Sequence, residues 1–188
     1  VKPVQYELVL SSSNVHSGLQ TTDGRDIHLF KEGNLIVGRY EVGGNNSPDG
    51  SSDEVAAFAI SIDPATGQLA MVQYVSLNHP NGGNPDDTVQ LNDGTLSVRV
   101  TITDGDGDPA SDTVDISCVI QFEDDGPTIV RSATLSIAVD EDGLATGNAD
   151  AGRAGENPGT GSAVASGAAG ALNALVNFGA DGPGSAAF

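Results

Sequence analysis

The chain has 188 residues, which suits one domain or one domain with part of a neighbour. Apolar residues make up 38% but aromatics only 4%, so a core has to be built from Val, Ile, Leu and Ala. Acidic side chains outnumber basic ones 26 to 7, a formal charge of -19, which argues against nucleic acid and anionic membrane as partners because both require basic patches to displace counterions.

The predicted elements are almost all strands. In chain order they fall at Val4–Leu10, Ile27–Phe30, Leu35–Val42, Val55–Ile62 and Leu69–Val75. Asp63-Pro64-Ala65-Thr66-Gly67 makes the turn between the last two, with Pro presetting one dihedral and Gly supplying a positive one. Leu96, Val98, Val100 and Ile102 then alternate with polar residues, and Val114, Ile116, Cys118, Ile120 and Phe122 repeat the pattern. Each of these runs reads as a strand with one buried face, which places Cys118 inward as a buried thiol. Leu135, Ile137 and Val139 form a shorter run of the same kind. From Gly143 to Gly170 the chain is nearly all Gly, Ala, Ser and Asn, a linker-like composition. After it, Leu172, Leu175, Val176 and Phe178 are expected to dock as a last strand or short helix. The loops Ser11–Arg25 and Gly43–Asp53 read as irregular. The expected architecture is all-β: an antiparallel Ig- or cadherin-like β-sandwich with cation-binding turns and a Gly/Ala-rich C-terminal segment. Residues 1–127 are expected to form the main sandwich and 128–188 to complete the same fold.

Nineteen of the acidic residues are Asp, and many adjoin Gly, Asn or Pro, where tight turns can aim several oxygens at one centre. The strongest cluster is Asp104-Gly105-Asp106-Gly107-Asp108, between two predicted strands. A hard cation of calcium size takes six to eight oxygen ligands in loose geometry, and alternating Gly lets carboxylates converge. Asp104, Asp106 and Asp108 match the first three ligand positions of an EF-hand loop, but Pro109 stands where that loop needs Gly and Asp115 where it needs Glu. The flanks are strands, so the loop is no EF-hand; it reads as a calcium loop with Asp112 as an extra ligand. Glu123-Asp124-Asp125 and Asp140-Glu141-Asp142 follow strands in the same manner, Asn84-Pro85-Asp86-Asp87 is a fourth candidate, and Asp53-Glu54 is a weaker one. One cysteine permits no intrachain disulfide, so bound calcium is the expected staple.

Catalytic signatures are thin. His16, His28 and His79 show no metalloprotease or zinc-finger spacing, and no Gly-x-Ser-x-Gly elbow occurs. The expectation is a protein that is not an enzyme. Tyr40 and His79 are the candidates for a ligand contact beside the two irregular loops.

Thr101-Ile-Thr-Asp-Gly-Asp-Gly-Asp108 and Phe122-Glu-Asp-Asp-Gly-Pro-Thr128 resemble the end of a type I secretion target repeat, a domain that recurs in tandem in large RTX (repeats-in-toxin) bacterial adhesins. Val55–Asp87 is similar to the middle of that repeat, and Val139-Asp-Glu-Asp-Gly-Leu144 and Phe178-Gly-Ala-Asp-Gly-Pro-Gly184 resemble its beginning. The end-type motifs precede the beginning-type ones, as if the back of one repeat ran into the front of the next. The resemblance implies type I secretion, an extracellular cell-surface location, folding driven by external calcium, and neighbouring domains of the same adhesin as partners. It implies a stalk or scaffold in surface or biofilm adhesion. The alternative it leaves is an adhesin domain that recognises a host or cell-surface peptide or glycan through a calcium-associated site.

Overall fold

A computed structural model of the chain describes residues 4–44, 47–51, 53–130 and 175–184. The regular structure of the described residues is nearly all strand, in antiparallel sheets, which agrees with the all-β expectation. The chain divides into two compact units, Val1–Gly126 with Ala180–Phe188, and Pro127–Gly179. Of the segment expected to complete the first sandwich, the part from Ala180 groups with the first unit and the part up to Gly179 forms the second.

The first unit holds a five-stranded sheet of β2 (Val15–Gln20), β3 (Asp26–Glu32), β4 (Leu35–Glu41), β5 (Glu54–Ile62) and β6 (Leu69–Gln73), in that spatial order. A three-stranded sheet is formed by β1 (Val4–Leu10), β8 (Leu96–Thr103) and β9 (Pro109–Asp115), with β8 central. A two-stranded ribbon pairs β7 (Thr88–Gln90) with β10 (Gln121–Glu123). The inward residues of all three meet in one core: Leu8 and Leu96 pack with Leu19, Ile27, Leu29, Ile36 and Ile60, and Phe122 brings in the ribbon. Phe58 and Phe122 have ring centroids 4.9 Å apart at a tilted angle, within the range in which aromatic pairs attract. In the second unit, β11 (Thr128–Ile129) pairs with β12 (Val176–Asn177), extended by a bond from Val130 N to the Leu175 carbonyl at 2.7 Å.

Three expectations are corrected. Val114–Phe122 is not one strand: β9 ends at Asp115, a 3₁₀ turn occupies Ser117–Val119, and β10 begins at Gln121. The cause is local, since the Asp115 carboxylate accepts from the Ser117 N–H at 2.9 Å and from its hydroxyl at 2.6 Å, pulling the chain into the turn. As a result Cys118 is exposed, not buried. Residues 11–25 are not a long irregular loop, because β2 lies within them. Val15, Ser17 and Leu19 are its inward residues, and the buried Ser17 hydroxyl donates to the Ile27 carbonyl at 2.5 Å. The run Leu135–Val139 and the Gly143–Gly170 stretch lie outside the described residues.

Candidate metal centre

The hairpin joining β8 to β9 begins where Thr103 pairs with Pro109. Asp104 closes it: its backbone N–H donates to the Asp108 carbonyl at 3.2 Å, and its Oδ1 accepts from Gly107 N at 3.0 Å and Asp108 N at 2.8 Å. Gly107 has φ of 103°, a conformation that a residue with Cβ adopts at a cost. The sequence of alternating Asp and Gly therefore serves two ends, closing the turn and turning its carboxylates toward one point.

Asp104, Asp106 and Asp108 each bring a carboxylate oxygen within 4.8 Å of the others, and all three are exposed. Among the described residues this is where three potential metal-ligating side chains converge. The Asp104 carboxyl is held below the usual carboxylate range, first by its hydrogen bond with the Asp106 side chain and then by the backbone N–H of Asp108. A bond between two carboxyl groups needs a shared proton. At neutral pH, with both ionised, the same approach is repulsive unless a cation stands in for that proton. The donor set, carboxylate oxygens on a short Gly-rich turn, suits a hard ion such as Ca²⁺.

Asp112 does not join this group. It lies on β9 opposite Val100, about 13 Å along a strand from Asp108 at the usual rise per residue, and its Oδ1 accepts from Thr113 N at 2.8 Å. Asp115 is engaged in structure, its two oxygens taken by Ser117 and by Gly94 N at 2.9 Å. Those bonds, the Ser117 hydroxyl foremost, hold its carboxyl low.

Two clusters far apart in sequence meet in the fold. Pairing of Glu123 with Thr88 brings Asp124 N to the Asp87 carbonyl at 3.0 Å, and Gly126 packs so closely on Pro85 that a Cβ there would collide. Asp86, Asp87, Glu123, Asp124 and Asp125 thus line one end of the β7–β10 ribbon. Asp124 Oδ1 accepts from Asp125 N at 2.8 Å, and Asp87 Oδ2 from Asn81 N at 3.2 Å. Asp87 Oδ1 lies 3.6 Å from His79 Nδ1. The His79 side chain is only 5% exposed and Tyr40 packs against the core, so neither presents the open ligand contact expected of it. Asp140, Glu141 and Asp142 lie outside the described residues.

Glu41 escapes the sequence reading, and Glu54 enters it only within the weak Asp53-Glu54 pair. Glu41 and Glu54 are buried and stand opposite each other in the β4–β5 register. The signal that finds both is the turn-rich stretch between them, which includes Gly43, Gly44, Pro48, Asp49 and Gly50.

The fold and the hairpin define an antiparallel all-β domain carrying an acidic turn able to hold a hard cation. The chain belongs to a family described as a domain of unknown function, DUF5801, whose model matches residues 2–117 and so runs from β1 through β9 and the aspartate hairpin. No curated protein and no solved structure is similar enough to match.

Proposed function

We propose that this protein is a calcium-stabilised, non-enzymatic extracellular module of a large RTX-type bacterial adhesin, acting as stalk or scaffold between neighbouring domains in surface or biofilm adhesion. The observation that carries the reading is the convergence of Asp104, Asp106 and Asp108 within 4.8 Å on the β8–β9 turn. A chain of net charge -19 with a single cysteine gains most from an ion that neutralises carboxylates at its turns. The acids at the β7–β10 ribbon end, Asp86, Asp87, Glu123, Asp124 and Asp125, are a further group whose mutual repulsion a bound cation offsets. The stalk role is favoured over a ligand-recognition role because Tyr40 and His79 are packed inward.

Binding of an ion to the folded form alone stabilises it by mass action. Thermal unfolding of the full chain in millimolar Ca²⁺ and in EDTA tests this. The expected result is a midpoint lower by tens of degrees in EDTA, with most of the calcium gain at the hairpin lost in D104N/D106N/D108N. A midpoint indifferent to EDTA sinks the reading.

A further inference from the structure

Glu41 is 7% exposed and Glu54 9% exposed, both at the ends of paired strands with their Cα atoms in register. Cross-strand partners in register hold their Cβ atoms about 5 Å apart, and like charges so placed repel. Backbone N–H groups of the described residues between the strands bond to both carboxylates. Glu54 Oε1 accepts from Asp49 N at 2.5 Å and Gly50 N at 2.6 Å, and Glu41 Oε2 accepts from Ser47 N at 2.9 Å. Gly44, at φ of 83°, passes so close that a Cβ there would strike Glu41 Oε1. Glu54 Oε2 is enclosed and has no hydrogen-bond partner. An ionised oxygen in that state loses its hydration with nothing in return.

The nearby cations do not reach Glu54 Oε2. Arg25 Nη1 donates to the Glu41 backbone carbonyl at 2.6 Å, and Arg39 Nη1 reaches the Glu54 backbone carbonyl at 3.5 Å. Their guanidinium groups pair with other acids, Arg25 with Asp23 at 2.6 Å and Arg39 with Glu32 at 2.6 Å. The hydrogen bonds to Glu32 are what chiefly raise the Arg39 pKa, with the charge of Glu54 a lesser influence.

We infer that Glu41 and Glu54 form a second site for a hard divalent cation of the calcium class, separate from the aspartate hairpin and bordered by Gly44, Ser47, Asp49 and Gly50. Glu54 Oε2 and the Glu41 carboxylate are its anionic ligands. Backbone carbonyls and water complete the six to eight oxygens such an ion takes. The site gives the turn a function the hairpin cannot: calcium there fixes the connection between two central strands of the five-stranded sheet.

The test uses the full chain and calcium alone, counting bound ⁴⁵Ca²⁺ by equilibrium dialysis for the wild type, E54Q, D104N/D106N/D108N and the combination. Expected are one ion fewer in E54Q than in the wild type and one fewer in the combination than in D104N/D106N/D108N, whatever the hairpin variant shows by itself. Gln keeps the Oε1 acceptor for Asp49 and Gly50, so E54Q is expected to fold. A folded E54Q that binds as many ions as the wild type overturns the site. If E54Q fails to fold, hydrogen exchange at Ser47, Asp49 and Gly50 in the D104N/D106N/D108N background decides: slowing by at least tenfold on adding calcium supports the site, and unchanged exchange overturns it.

Discussion

Ser117 shows how one side chain shapes the chain around it. It is wholly buried, and its hydroxyl oxygen accepts from Thr95 N at 3.1 Å and Leu96 N at 3.0 Å while donating to Asp115 Oδ1. Ser117→Ala removes that acceptor from buried N–H groups, and the expected loss is about 1–3 kcal/mol, read from urea unfolding at saturating calcium. His28 is a residue at which mild acid is expected to act. Burial chiefly, and the neighbouring His16 charge next, hold its pKa below the ordinary 6.5, although Asp26 and Glu54 pull the other way. The folded form therefore takes up this proton later than the unfolded form. Stability from His28 is intact above pH 6.5 and declines as pH falls from there through the folded pKa. Unfolding midpoints at pH 7.5 and 5.5 should draw together in His28→Gln. A slope identical to the wild type places the sensitivity elsewhere.

At the level of elements, β4 and β5 form the longest antiparallel ladder of the large sheet, and Gly38 is the close-approach point within it. Gly38 pairs with Phe58, whose ring lies over the position a Cβ would take, and the register shifts between Gly38 and Arg39. Gly38→Ala pushes the Phe58 ring off Phe122 and should cost about 1–3 kcal/mol as overpacking, with the loss of near-ultraviolet circular dichroism as a second reading. Strands with uninterrupted alternation were legible in the sequence: Val4–Leu10 and Leu96–Thr103 fall where periodicity puts them. β2 was hidden because Ser17 takes an inward position and Gly18, at φ of 87°, breaks the run. The Val114–Phe122 run misled because alternation of apolar residues carries no trace of the Asp115–Ser117 bonds that fold it into a turn. The inward face also fades toward the sheet margin. Leu96 is fully buried but Ile102 is 50% exposed, and every residue of β9 is exposed. Pro109, Asp112 and Asp115 on that outer strand discourage pairing with another chain.

Across the whole molecule, what could be read in advance depended on whether the contributing residues were neighbours in sequence. The aspartate hairpin is contained in five consecutive residues, so its chemistry was visible before its geometry. The meeting of Asp87 with Asp124 depends on β7 pairing with β10, a contact between strands of three residues each, too short for periodicity to reveal. The Glu41–Glu54 pair depends on the register of β4 and β5, and the bulge at Gly38–Arg39 shifts the inward phase toward Glu41. Acidity alone counted these carboxylates; the sheet decides which ones are out of water. The 3₁₀ turn has one more outcome. It lifts Cys118, the single sulfhydryl of these 188 residues, onto the outside. Any disulfide it forms must reach outside this stretch, so air oxidation yields covalent pairs linked at one defined point, and a maleimide dye attaches at that same point and nowhere else.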